Sequence, residues 1–121
     1  MSEAFTILHE PAGDGRAVVV LSGRLDANHA GEVKDLLKLT IGGGTARLIV
    51  DMTGVPFVDS AGLSSLVFGL KLARRAGGDI MLAGVQPQTL TVFSLTMLDK
   101  VFAIYPTQQA ALENLPTQDH L

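Results

Sequence analysis

The chain has 121 residues, 47% of them hydrophobic and 17% charged, which excludes a disordered tail and suits one compact domain. Nine Lys and Arg against 12 Asp and Glu leave a net charge of −3, so the basic excess that nucleic-acid phosphates demand is missing. There is no Cys, which rules out disulfide scaffolds, thiolate metal sites and cysteine nucleophiles.

Residues 5–9 (FTILH) read as a short strand, followed by the turn-forming run Pro11-Ala12-Gly13-Asp14-Gly15. Residues 17–21 (AVVVL) form a continuous, β-branched run of the kind found in a strand covered on both faces, and the two strands can pair as a hairpin. That run is too short to cross a bilayer, and the opening MSEAFTILHEP has no basic region followed by an apolar stretch. A cytoplasmic protein without membrane contact is expected. Asp26 or Asn28 can cap the next segment, where Ala30, Val33, Leu37 and Ile41 recur at helical spacing until Gly42-Gly43-Gly44 ends it.

Residues 47–51 (RLIVD) are the next strand, and a loop over residues 52–59 leads into a helix over residues 60–76 that Gly77-Gly78 closes. Residues 79–83 (DIMLA) are a further buried strand. Pro87 suits the first position of a third helix, with Leu90, Phe93 and Met97 facing inward. Residues 101–105 (VFAIY) are the last strand, and Thr107 can cap a terminal helix whose Ala111, Leu112 and Leu115 dock on the core. Residues 116–121 are expected to fray. Strand and helix alternate after the hairpin, which predicts a single α/β domain over residues 1–121 with its core in residues 5–115. Its sheet is mixed, with about five strands and about four helices packed against it.

No catalytic set assembles in this order. His9, His29 and His120 lack partners at metal-ligand spacing, and no G-x-S-x-G elbow is present. Gly42-Gly43-Gly44-Thr45 lacks the Lys of a phosphate-binding loop and precedes a strand, so it reads as a helix stop. Asp51 at a strand end suits a phospho-accepting domain, yet residues 18–22 offer no acid pair for Mg²⁺. Neither an enzyme, nor a metal site, nor a cofactor is expected.

The informative stretch is Val55-Pro56-Phe57-Val58-Asp59-Ser60-Ala61-Gly62-Leu63. An apolar loop precedes an Asp-Ser pair that opens a helix, so Ser60 sits among unpaired backbone N–H groups at the positive end of the helix dipole. Such a position suits a phosphate. The plainer alternative is that Asp59 or Ser60 only caps the helix, a role worth about 1 kcal/mol. Asp26 likewise reads equally as an N-cap or as a site residue. Phe57 and Val58 could face a partner, but an apolar loop residue is more often core, and Phe57 is expected there.

Asp59-Ser60-Ala61-Gly62-Leu63, with Gly23-Arg24-Leu25-Asp26 upstream and Phe93-Ser94-Leu95-Thr96-Met97-Leu98 downstream, resembles the STAS domain of stand-alone bacterial anti-sigma factor antagonists. The resemblance runs from Phe5 to about Leu115. It implies that Ser60 is phosphorylated by an anti-sigma factor that is itself a serine kinase, with Asp26, Asp59 and Gly62 lining the site. It further implies that the unphosphorylated form binds the anti-sigma factor and frees sigma, and that a PP2C-type serine phosphatase resets the switch. The sequence carries no signal of oligomeric state, and a monomer is the plain expectation. The same family includes modules that switch secretion, chemosensory or cyclase targets, and transport-accessory modules that need no serine; the Asp59-Ser60 pair favours the switch class. Met97 stands where relatives often place a glycine closing the third helix.

At about 100° per residue, Leu63, Leu66, Val67 and Leu70 form the core stripe of the second helix. Ser60, Ser64, Phe68, Lys71 and Arg75 share the flank beside it. That flank reads as a solvated face with one partly covered Phe, or as a partner-binding face in which Phe68 anchors while Lys71 and Arg75 supply charge complementarity.

Overall fold

The computed structural model describes residues 4–117. In chain order the elements are β1 (Thr6–Gly13), β2 (Arg16–Ser22), α1 (Ala30–Gly42), β3 (Arg47–Gly54), α2 (Ser60–Arg75), β4 (Asp79–Ala83), α3 (Pro87–Leu95), a 3₁₀ turn (Leu98–Lys100), β5 (Ala103–Tyr105) and α4 (Gln108–Asn114). They build the mixed five-stranded sheet and four α-helices that the alternation predicts. β1 and β2 pair as the antiparallel hairpin, and the parallel pairs β2–β3, β3–β4 and β4–β5 extend the sheet in the order β1-β2-β3-β4-β5.

The strand order never reverses. Right-handed crossovers between successive parallel strands then place α1, α2 and α3 on one face of the sheet. The main core lies under that face, around Val19, Leu21, Leu48, Val50, Ile80 and Leu82 from the strands and Val33, Leu37, Leu66, Leu70 and Phe93 from the helices. The other face carries α4, where Ala111 and, just past the helix, Leu115 cover Val18, Ile49 and Met81. β2 is thus buried on both sides, as its unbroken apolar run requires.

Asp51 is the one buried carboxylate among the described residues. One of its oxygens accepts from the Thr53 N–H (2.9 Å) and hydroxyl (2.7 Å), and the other accepts from the Gln108 amide (2.7 Å). Three donors offset its desolvation and tie β3 to α4.

Several boundaries and facings differ from expectation. β1 runs on to Gly13, through a register shift between Pro11 and Gly13. Neither Asp26 nor Asn28 is the N-cap of α1: the helix starts after His29, and no side chain caps it. β5 begins at Ala103 because the Val101 and Phe102 N–H groups turn back to the Leu98 carbonyl, which closes a 3₁₀ turn where a strand was predicted. On α3 the inward residues are Thr89 and Phe93, while Leu90 and Met97 are exposed. Thr107 does cap α4, accepting from the Ala110 N–H. Pro116 and Thr117 are exposed coil, and residues 118–121, including His120, lie outside the described residues.

Candidate functional site

Two loops meet at the start of α2, the β2–α1 loop carrying Arg24, Leu25 and Asp26, and the β3–α2 loop carrying Phe57, Val58 and Asp59. Their backbones join as a short parallel bridge between Leu25 and Val58. The Leu25 N–H donates to the Phe57 carbonyl (2.9 Å), and the Asp59 N–H donates to the Leu25 carbonyl (3.2 Å). This bridge also sets the facing of each residue. Leu25 and Val58 point into the core, so Phe57 points out. It is 37% exposed, with the Arg24 guanidinium stacked 3.9 Å above its ring. The expectation of a core Phe57 is corrected by this alternation.

Asp59 uses both carboxylate oxygens. Oδ1 accepts from the Gly62 N–H (2.9 Å), capping α2, and Oδ2 accepts from the Ala27 N–H (3.1 Å) in the facing loop. Gly62 is required by the same contact, since a Cβ there would collide with the Leu25 carbonyl oxygen and crowd the Leu25 and Val58 side chains. The Asp26 carboxylate turns back on its own loop. Oδ1 accepts from the Asn28 N–H (3.0 Å) and faces His29 Nδ1 at 3.2 Å, while Oδ2 lies 3.9 Å from Arg24 Nε. The His29 ring stacks on Phe5 (centroids 4.5 Å apart). From the other side, the Gln86 amide holds the Thr53 carbonyl (2.7 Å), and the Gln88 amide holds the Pro56 carbonyl (3.1 Å) and Gln86 Oε1 (2.7 Å).

Ser60 is the first residue of α2 and is exposed. Asp59 takes the Gly62 N–H, so the Ser60 and Ala61 N–H groups remain without an intrahelical acceptor, at the positive end of a 16-residue helix. Ser60 borders a groove of about 430 Å³ whose other walls are Leu63, Ser64, Val67, Phe68 and Lys71 from α2, Thr96 at the C-cap of α3, and Leu98 from the 3₁₀ turn. The flank read from helical spacing is therefore brought together, except for Arg75, which lies beyond the groove on the last turn. Sequence reasoning missed Thr96, Leu98 and Lys34, whose ammonium sits 4.8 Å from the Phe68 ring centroid. Lys34 is reached only through the packing of α1 on α2, which no local spacing encodes. Among the described residues, no three His, Asp or Glu side chains cluster as metal ligands.

The STAS domain model matches residues 10–111 of the chain. The chain belongs to the STAS domain family. An anti-sigma F factor antagonist of Paenibacillus polymyxa is 26% identical over 106 residues, which span 84% of this chain and 87% of that one. A solved anti-sigma factor antagonist from Mycobacterium paratuberculosis superposes with a TM-score of 0.84 at 29% identity, over 95% of this chain and 98% of that one. The anti-sigma factor antagonist SpoIIAA shares the fold at lower identity. Its unphosphorylated form gives a TM-score of 0.80 at 19% identity, covering 90% of this chain and 95% of that one. Its phosphorylated form, from Bacillus, gives 0.73 at 18%, covering 90% and 98%. On this STAS domain, the serine of the D-S-x-G-L element stands at the exposed end of the longest helix, beside an apolar groove.

Proposed function

We propose that this STAS protein is an anti-sigma factor antagonist working by partner switching. Unmodified, it docks through the α2 face on an anti-sigma factor with serine kinase activity and frees the sigma factor. That kinase phosphorylates Ser60, which ends docking, and a PP2C-type serine phosphatase restores the hydroxyl. The observation that carries this reading is an exposed Ser60 at the first position of α2, on the wall of the groove, next to an Asp59 already committed to holding two loops. The names of the relatives and the existence of SpoIIAA in both forms support it.

The physics of the switch is local. A small uncharged serine lets a protein surface close over the groove. A phosphate brings about −1.5 to −2 charges beside Asp59. The open N–H groups of α2 can bond that phosphate, so the fold tolerates it. A docked partner would have to bury it, at a cost of several kcal/mol unless a cation is supplied. Each 1.4 kcal/mol is tenfold in affinity. Phe68 is the apolar anchor of the docking face, Ser64 keeps that face uncharged near Ser60, Lys34 and Lys71 border it with positive charge, and Arg75 extends the charge to its outer edge.

The test is binding of the purified serine-kinase anti-sigma factor from the same cell. Ser60→Ala should bind as wild type does and stay bound when ATP is added, while Ser60→Asp should bind at least tenfold more weakly. Equal affinities for wild type and Ser60→Asp would refute the reading, as would mass spectra of the native protein that never show phosphate on Ser60.

A further inference from the structure

Two described residues other than glycine have left-handed backbone, Asp14 (φ 57°) and Met97 (φ 64°). Asp14 closes the β1–β2 hairpin, and its short polar side chain suits that conformation. Met97 has no such excuse. It follows the C-cap of α3, where a residue in this conformation ends a helix and glycine is preferred because it has no Cβ to strain. The turn forms with Met all the same: the Met97 N–H donates to the Ser94 carbonyl (3.1 Å), and the Lys100 N–H donates to the Met97 carbonyl (3.2 Å).

The strain is not repaid by burial. Met97 is 57% exposed, and Leu95, two residues earlier, is 79% exposed. Leu90 and Val101 are exposed on the same stretch, so four of the seven large exposed hydrophobics among the described residues fall within residues 90–101. The residues on either side of Met97, Thr96 and Leu98, both line the groove that begins at Ser60. Met97 does not itself line the groove; its flexible, exposed thioether stands between two residues that do, on a backbone that would relax if the side chain were removed. Strained backbone kept for no packing gain points to a contact made elsewhere.

We propose that Met97 is a docking anchor, seated in an apolar socket of the protein that covers the Ser60 groove, with acidic side chains bordering that socket. This rests on the partner-switching reading and adds a specificity determinant to it. The acidic border follows from charge. Lys71 is the charged side chain lining the groove, and Lys34 stands over the neighbouring Phe68. A partner whose carboxylates face these two lysines is attracted by the unmodified groove and repelled when Ser60 carries a phosphate.

The experiment compares wild type, Met97→Gly, Met97→Asn and Ser60→Asp for melting temperature and for binding to the purified serine-kinase anti-sigma factor. Met97→Gly and Met97→Asn should melt at or above the wild-type temperature, since both residues accept the left-handed backbone. Both should bind at least tenfold more weakly, and Lys71→Glu should slow association. Loss of binding with raised melting temperature cannot come from misfolding. Affinity within twofold of wild type for Met97→Gly, with Ser60→Asp still defective, would overturn the anchor and leave the switch standing. Ser60→Asp binding as tightly as wild type would overturn both. Self-association of the wild type that Met97→Gly abolishes, without a change in partner affinity, would show that a second copy covers Met97 and would overturn the proposal.

Discussion

The two ends of α2 are both pressed against a neighbouring backbone, and they differ in what they leave unused. At the C-terminal end, Gly78 lies where a Cβ would collide with the Ala46 backbone, and Gly77 turns the chain with φ 83°. The Ala76, Gly77 and Gly78 N–H groups return to carbonyls of the last turn, and Arg74 reaches the Val101 carbonyl (3.0 Å) and the Asp79 carboxylate (3.4 Å). At the N-terminal end, Gly62 permits an equally close approach to Leu25, and Asp59 spans two loops. Here, however, the first residue keeps its side chain in solvent and two N–H groups open. Tight packing at Gly78 closes the turn that follows the helix; at Gly62 it fixes the backbone beside an exposed Ser60.

Substitutions should separate the two ends. Gly78→Ala, forced into the Ala46 backbone, should cost the most, about 3 kcal/mol and so a melting temperature lower by about 10 °C, with the folded fraction still phosphorylated at the normal rate. Gly62→Ala should cost about 2 kcal/mol, and by pushing the Leu25 loop away it should also lower the kcat/KM of the kinase for this protein. A Gly62→Ala protein phosphorylated as fast as wild type would erase the distinction. Asp59→Ala should lose about 2 kcal/mol in denaturant unfolding, for one cap and one loop staple. Asp59→Asn should recover less than half of that, because its amide nitrogen must face one of the two N–H groups. Ser60→Asp should change stability by about 0.5 kcal/mol at most, toward greater stability, since a carboxylate suits a helix N-terminus.

Much of this architecture is legible in the sequence, and the failures share one cause. The strands at residues 17–21, 47–51 and 79–83 are readable because burial on both faces demands unbroken apolar runs, and α2 because its stripe and closing glycines are local signals. Ser60 is legible as a helix start for the same reason. Phe57 is not, because its facing is decided by the bridge between Leu25 and Val58, two segments 33 positions apart. Asp26 looks like a cap and instead closes its own turn with Asn28, one helical turn too early. Val101 and Phe102 have strand-forming side chains but sit where the left-handed Met97 has already turned the backbone into a 3₁₀ turn. Lys34 and the Thr96–Leu98 wall enter the site only through packing between helices.

The buried Asp51 makes the far end of the chain indispensable in an unexpected way. Seven residues of α4 cannot hold a helix by themselves. They stay folded because Ala111 and Leu115 cover the sheet and because Gln108 supplies the last donor to a carboxylate in β3. Proteolytic trimming back to Pro106 would therefore uncover Val18, Ile49 and Met81, and it would take the Gln108 donor from Asp51 and open that carboxylate to water. Degradation from that terminus would unravel the sheet from the side opposite Ser60.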